Sequence, residues 1–208
     1  MINRLKTFAV AAAVGALLIV PSGARAQVDF DLSLAGGTAL PVGDLADGWK
    51  VGGNISVGGS FWISDNFAVR PEFVLDILSG DKVGQADQMP DLNLWHLGVV
   101  GELALTERGA DGLSFTINGG GGYTWMDSDK LSGNAGSPDF SEWYWHLKGG
   151  AEVGWNAGGG VHVGVNASVI ATFADDTDTA FFQTANPAFV PFSTAVSLPI
   201  TGFIRISF

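Results

Sequence analysis

The sequence contains no cysteine, so neither a disulfide framework nor a lipid anchor on an N-terminal cysteine is available to it. Nor does it contain a run of about 18 apolar residues, the length that a membrane-spanning helix needs. Basic residues are scarce, because 10 Lys and Arg stand against 21 Asp and Glu. This acidic balance disfavours contacts with nucleic-acid phosphates, and no nucleic-acid partner is expected.

The first 26 residues have the three parts of a secretory signal peptide. Arg4 and Lys6 precede the apolar run 8–20, and an A-x-A cleavage site ends at Ala26. The apolar run is too short to cross a bilayer comfortably as a helix. We therefore expect residues 1–26 to be removed after export and residues 27–208 to form one domain.

Apolar side chains recur at every second position in eight segments, which is the period of a β-strand with one apolar face. The clearest is the last, which alternates up to Phe208. Each segment has about the 9 to 13 residues that a tilted membrane strand requires. The predicted strands are 28–36, 51–63, 67–77, 93–105, 113–125, 143–155, 161–173 and 196–208.

Short and long connections alternate between these strands, as they do in outer-membrane barrels with short periplasmic turns and longer external loops. The pattern predicts an all-β fold, an eight-stranded antiparallel up-and-down transmembrane β-barrel in the outer membrane of a bacterium. A soluble barrel of the lipocalin type is the alternative, and its apolar side chains would face inward around a ligand.

Aromatic residues with the parity of the apolar face cluster near the strand ends, where girdles at the two bilayer interfaces are expected. The predicted girdle residues are Trp95, Tyr123, Trp125, Trp143, Trp145, Trp155 and Phe208. The outer-membrane lipid and lipopolysaccharide are the partners that such a surface implies.

Ionisable residues carry the opposite parity, which points into the barrel. The interior of eight strands is just wide enough for side chains to fill, so these groups must meet one another. The predicted salt-bridge network comprises Arg70, Glu102, Glu152, Arg205, Asp31 and Lys148. Paired charges of this kind would plug the lumen, although a selectivity filter or a proton path is the functional alternative.

Two features of the backbone need a local explanation. Pro71 lies within the third strand, where its missing N–H costs a ladder hydrogen bond, and we expect a bulge there. Four consecutive glycines at 119–122 predict a bend or a bulge in the wall, since no helix follows them to make a phosphate site.

The ionisable residues do not form a convincing catalytic or metal site. His96 and His146 lie at similar heights on strands two apart, so a shared metal is geometrically conceivable, but satisfied interior imidazoles are the expectation. No catalytic residue, metal or cofactor is predicted. The candidate contact surface is instead the apolar last loop, with Phe181, Phe182, Phe189 and Phe192.

Three segments resemble the small outer-membrane β-barrel superfamily that includes OmpA-like transmembrane domains, OmpX and OmpW. They are Leu34-Ala-Gly-Gly-Thr-Ala-Leu-Pro-Val-Gly-Asp44, Ile63-Ser-Asp-Asn-Phe67 and Gly202-Phe-Ile-Arg-Ile-Ser-Phe208. The resemblance implies that the outer-membrane assembly machinery recognises the last strand through Phe208. These motifs are specific to the architecture and hardly at all to a function.

The function expected from this resemblance is non-enzymatic, namely envelope integrity or surface interaction through the external loops. A narrow pore or a lateral conduit for small hydrophobic solutes, as in OmpW, is the second hypothesis. An enzyme that modifies lipid A is the third.

Overall fold

The computed structural model describes residues 29–81, 89–107, 112–128, 140–185 and 190–208. They form a closed barrel in which each strand is antiparallel to the next and the last strand pairs with the first. The predicted all-β, eight-stranded, antiparallel fold class is confirmed, whereas the signal-peptide prediction lies outside the described residues. The strands are β1 Phe30–Val42, β2 Gly52–Trp62, β3 Phe67–Leu78, β4 Leu92–Ala104, β5 Leu113–Ser128, β6 Phe140–Gly158, β7 Val161–Phe173 and β8 Thr194–Ser207.

The two ends of the barrel differ. At one, the turn end, β2 and β3, β4 and β5, and β6 and β7 are joined by short connections. At the other, the loop end, the connections carry a 3₁₀ helix, Gly43–Asp47, and two short helices, α1 Asp176–Thr179 and α2 Phe181–Ala185. Among the described residues, no helix is both long enough and apolar enough to cross a membrane.

The first strand is longer than predicted, because it ends at Val42 and not at residue 36. Beyond Ala39 it no longer pairs with β2, but it continues alongside β8, where Leu40 lies opposite Leu198 and Val42 opposite Val196. This pairing partner is remote in sequence, so the local alternation of apolar residues did not reveal the extension.

The side-chain parity is as predicted. Outward residues such as Leu97, Val165 and Ile204 are more than half exposed, whereas inward residues such as His96 and Arg205 are buried. Because the apolar side chains face outward, the lipocalin-like alternative is wrong.

The bulge predicted at Pro71 is absent. Gly58 pairs with Glu72 and Phe61 pairs with Val69 at the same offset, so no residue is inserted between them. On the other side, Pro71 pairs with Val99 in an unbroken ladder. The missing N–H is therefore accommodated by a local gap in the pairing of β2 with β3, and a shift of register occurs elsewhere, in β6 between Asn156 and Gly158.

The four glycines also lie in an unshifted register. Gly122 pairs with Gly98 and Gly120 with Val100 across β4, and no residue is inserted. A Cβ atom built on Gly122 would lie 2.1 Å from the backbone oxygen of Leu97 and 2.5 Å from the Cα atom of Gly98. Glycine is thus required here by the close approach of neighbouring backbones and not by a bulge.

Candidate functional site

The middle of the lumen is filled by three cations and three carboxylates, which we call the charge ring. Its members are Arg70, Glu72, Glu102, Lys148, Glu152 and Arg205, and all are buried. Arg70 Nη1 lies 2.7 Å from both Glu102 Oε1 and Glu152 Oε1. Because the three positive and three negative charges balance, the charge ring needs no counter-ion from solvent.

The remaining contacts close the charge ring. Arg205 Nη2 lies 3.0 Å from Glu102 Oε1 and 2.6 Å from Glu152 Oε2, so the two arginines share the same two carboxylates. Lys148 Nζ donates to Glu72 Oε1 at 2.6 Å, and Glu72 Oε2 lies 3.4 Å from Arg70 Nη2. Charges from β3, β4, β6 and β8 therefore tie opposite sides of the wall together across the lumen.

Five of the six residues predicted for the network meet in the charge ring. The sixth, Asp31, lies nearer the turn end, where its Oδ2 atom accepts a hydrogen bond from Trp62 Nε1 at 2.6 Å. The prediction of the network did not include Glu72. Its position two residues after Arg70 on the same inward face was the signal that could have placed it there.

A layer of amide, hydroxyl, imidazole and carboxylate groups lies between the charge ring and the loop end, and we call it the polar layer. His96 is at its centre: Nε2 faces Asp76 Oδ2 at 3.5 Å, and Nδ1 lies 2.7 Å from Thr124 Oγ1. Asp76 also accepts hydrogen bonds from Asn54 and from Ser197 Oγ, the latter at 2.8 Å. The members are Asn54, Asp76, His96, Thr124, His146, Thr172 and Ser197.

The hydroxyl of Thr124 connects both imidazoles. Besides His96 it lies 3.1 Å from His146 Nδ1 and 3.1 Å from Thr172 Oγ1. A hydroxyl has one proton to donate, so Thr124 donates to one of these three neighbours and accepts from the others. Each imidazole thus contacts the Thr124 hydroxyl, whereas the buried Nε2 atom of His96 makes no hydrogen bond and only approaches Asp76 Oδ2 at 3.5 Å. Within the described residues, no group of three or more His, Asp or Glu side chains is arranged to hold a metal ion.

Asp76, His96 and Thr124 follow one another in the order of acid, imidazole and hydroxyl that nucleophilic catalysis uses. None is more than 2% exposed, and the hydroxyl is already surrounded by three partners. A substrate carbonyl has no approach to Thr124 in this conformation. The arrangement therefore stabilises the interior and offers no nucleophile to solvent.

The loop end is closed by a buried cluster that we call the apolar cap. Trp49 packs edge-on against Phe182 and Phe192, with ring centroids 5.1 and 6.2 Å apart, and donates through Nε1 to the backbone oxygen of Pro90 at 2.9 Å. The members are Ala39, Leu45, Trp49, Leu78, Met89, Leu92, Leu94, Met126, Phe140, Tyr144, Phe182, Phe192 and Ala195. Side chains from the wall and from three connections therefore share one core.

The last connection is fastened over the lumen by hydrogen bonds. Thr179 Oγ1 donates to the backbone oxygen of Phe192 at 2.8 Å and accepts from the backbone nitrogen of Phe192 at 3.0 Å. Tyr144, from the wall, donates to Asp178 Oδ2 at 3.0 Å. The N-cap of α1 is Asp175, and the hydrogen bond from the Thr177 backbone N–H holds the pKa of its carboxyl below its usual value.

The contact surface predicted in this loop needs correction. Phe182 is fully buried and Phe192 is 1% exposed, so neither can meet a partner while the apolar cap is closed. Phe181 is partly buried and packs against the same cluster. Phe189 lies outside the described residues. These aromatic residues cover the barrel mouth because a large aromatic ring has a lower free energy when it is buried than when it is exposed to water.

Thr179 provides a test of how firmly the last connection is held. We expect Thr179→Val to raise amide hydrogen exchange at Phe192 and around it, with a local cost of about 1 to 3 kcal/mol, because the buried backbone groups of Phe192 lose their partner. Thr179→Ser keeps the hydroxyl and is the control. Exchange in Thr179→Val that equals the wild type would show that packing alone closes the mouth.

The lumen contains little free space. One cavity of about 30 Å³ lies between Asp31, His162 and Arg205 on the turn side of the charge ring, and another of about 30 Å³ lies beside Lys148 and Asn166. A wider basin of about 810 Å³ opens at the turn end, and His162 lines it too. Solvent therefore enters the barrel from the turn end and stops at the charge ring.

The outer wall carries the predicted aromatic residues. Trp95, Trp125 and Trp143 lie side by side on β4, β5 and β6, with ring centroids 6.3 and 5.8 Å apart. Next to them, Tyr123 and Trp145 occupy paired positions and are more than half exposed. Trp155 and Phe208 are exposed near the turn end. The structure thus places the seven predicted girdle residues at the two ends of an apolar wall.

No protein-family model and no curated protein sequence matches this chain. Its structure, however, is similar to Neisserial surface protein A (NspA), with a TM-score of 0.57 and 11% identity over 86% of this chain and 97% of that one. Outer membrane protein OprG from Pseudomonas aeruginosa gives a TM-score of 0.54 and 10% identity, covering 87% and 96%. Ail of Yersinia pestis gives 0.51 and 11%, covering 87% and 99%.

At these identities the similarity concerns the fold alone. It confirms the expected resemblance to the architecture of the small eight-stranded outer-membrane barrels. The role of this chain has to be inferred from its own lumen, cap and wall.

Proposed function

We propose that this protein is an outer-membrane β-barrel with a closed lumen, which acts without catalysis by contributing to envelope integrity or through its external loop surface. The apolar wall between two sets of aromatic residues supports membrane insertion. The signal-like residues 1–26 support export. The turn end then faces the periplasm and the loop end the exterior.

The filled lumen is the observation that carries this proposal. The charge ring, the polar layer and the apolar cap follow one another along the barrel axis, and the two cavities described beside the charge ring are each about 30 Å³. A cavity of that size holds a water molecule or two but no hydrated ion or sugar. Passage would require both a displaced cap and a broken set of buried ion pairs.

Vesicle flux tests the closed lumen. Purified protein refolded into liposomes should float with the lipid on a density gradient, yet pass neither ions nor sugars faster than protein-free vesicles do. Flotation without flux supports insertion with a plugged interior. Ion or sugar flux in the wild type would contradict the closed lumen, and failure to float would contradict membrane insertion.

The second candidate is a lateral conduit for small hydrophobic solutes, and one observation favours it. Trp49 belongs to the apolar cap and also lines a groove on the outer wall, together with Leu40 and Val51. A movement of this one side chain would connect the buried apolar core with the surface that faces lipid. The enzyme that modifies lipid A has no comparable support, since the Asp76, His96 and Thr124 succession is enclosed.

Trp49 distinguishes the two candidates. If the protein is a conduit, the wild type will admit a small apolar dye into liposomes and exclude ions. Trp49→Ala will then increase the rate of dye uptake. With a closed scaffold, wild-type uptake will match that of protein-free vesicles. Trp143→Ala, on the outer wall away from the cap, is the control for the loss of an indole ring.

A further inference from the structure

The outer wall has a groove at the loop end, and the closed-lumen proposal does not use it. It has a volume of about 520 Å³ and is lined by Leu40, Pro41, Ala46, Trp49, Lys50 and Val51. Five of its six residues present apolar side chains. Lys50 contributes the one charge, and its side chain is 61% exposed.

The groove forms because β1 extends further toward the loop end than its pairing with β2 does. The last pair between β1 and β2 is Ala39 with Gly52, whereas β1 continues to Val42 beside β8. Between β1 and β2 the chain passes through the 3₁₀ helix, whose Leu45 belongs to the apolar cap, and then through Trp49, which bridges to Gly80. The wall is therefore recessed at this point, with apolar groups at the back and a lysine at the rim.

The groove and one set of aromatic residues lie at the same end of the outer wall, the loop end. On β4 to β6 the loop end of the outer wall presents Trp95, Trp125 and Trp143. On β1 and before β2 the corresponding stretch presents Leu40 and Val51 with Lys50. In a membrane this is the interface, where lipid phosphates and the first methylenes of the acyl chains lie.

Charge singles out Lys50 at this end of the barrel. Among the described residues of the loop end it is the only cation, and exposed Asp44, Asp47, Asp91 and Glu142 surround the mouth. These carboxylates repel a phosphate, so among the described residues of the loop end an anionic headgroup is favoured at Lys50. Its Nζ atom lies 2.8 Å from Asp81 Oδ1, and this carboxylate competes for the same ammonium.

We propose that the groove binds one phosphorylated lipid of the outer leaflet, with the phosphate on Lys50 and an acyl chain along Leu40, Pro41 and Val51. This inference rests on the membrane insertion proposed above. A cation beside an apolar recess can bind both parts of such a lipid. The phosphate is bound electrostatically, and the acyl chain is bound by burial of apolar area.

The experiment measures retained lipid by native mass spectrometry. Protein refolded in detergent micelles is mixed with diphosphorylated lipid A or with the same lipid after removal of its phosphates. We expect one phosphorylated lipid per barrel, and about fivefold less retention by Lys50→Gln, the effect of one basic residue near an anionic surface. Lys50→Arg keeps the charge and should retain the lipid.

Asp81→Asn makes the test sharper. It removes the competing carboxylate, so retention of the phosphorylated lipid should rise above the wild type. Glu142→Gln removes one exposed negative charge at the loop end outside the groove and controls for net charge. Equal retention of the phosphorylated and the dephosphorylated lipid A would overturn the proposal, and so would unchanged retention in Lys50→Gln. A mass spectrum that shows a dimer of the protein without lipid would also overturn it.

Failure of this inference is distinguishable from failure of the proposed function. A protein that floats with liposomes but retains no specific lipid is inserted and has no site in the groove. A protein that does not float with liposomes would contradict both the proposed membrane insertion and the lipid site in the groove. All variants carry a substitution at an exposed or partly exposed position, and a heat-induced shift in gel mobility verifies that each has folded.

Discussion

Replacing Arg70 with alanine is expected to lower the free energy of unfolding by about 3 to 5 kcal/mol and to let small ions leak through the barrel. Arg70 contacts Glu72, Glu102 and Glu152, and its removal leaves three carboxylates facing only Arg205 and Lys148. One buried negative charge is then uncompensated, so water must enter to solvate it. Urea unfolding followed by tryptophan fluorescence measures the stability, and liposome flux measures the leak.

A charge-balanced double variant tests this explanation. Arg70→Ala with Glu102→Gln removes one charge of each sign, and we expect it to recover much of the stability that Arg70→Ala loses. If net charge in the lumen is what matters, the double variant will be more stable than Arg70→Ala although it has fewer ion pairs. A double variant that is less stable than both single variants would show that individual contacts dominate.

Gly122→Val is expected to prevent the barrel from closing, or to destabilise it by about 3 kcal/mol or more. The new side chain would start 2.1 Å from the backbone oxygen of Leu97, and backbone atoms of a closed ladder cannot move aside independently. Valine is otherwise favourable in a strand, so the cost comes from the close approach alone. The folded fraction after dilution into detergent, read from gel mobility, measures the effect.

Gly149→Val is the matched control. Gly149 lies on the outward face of β6, and a Cβ atom built there meets nothing within 4 Å. We expect this substitution to be neutral or slightly stabilising, because glycine in a strand lacks side-chain packing. Similar losses in both variants would mean that chain flexibility, and not the approach of Gly98, explains the need for glycine.

Much of this fold could be predicted from the sequence, because a barrel wall imposes one simple rule. Every strand separates an apolar exterior from a filled interior, so a period of two residues marks both the strand and its faces. Leu97 and His96 are adjacent in sequence, and their opposite exposure is fixed by that rule. The same rule brought Arg70, Glu102 and Glu152 into one lumen.

Features that depend on remote partners could not be predicted in this way. The extension of β1 to Val42 depends on its pairing with β8. The hydrogen bond between Trp62 and Asp31 depends on the positions of the two side chains along the barrel axis and on their lengths. Pro71 needs no bulge because only its β2 side lacks pairing. The burial of Phe182 depends on Trp49, which lies in a different connection.

The pairing of β1 with β8 has a consequence for how the chain is assembled. The backbone nitrogen of Phe208 donates to the oxygen of Phe30 at 2.9 Å, and the two rings stack at 6.1 Å. The first and last strands therefore form one seam, which closes the barrel only after β8 has reached β1. Until then the sheet has two edges with unpaired backbone groups, and such edges are prone to pair with other chains.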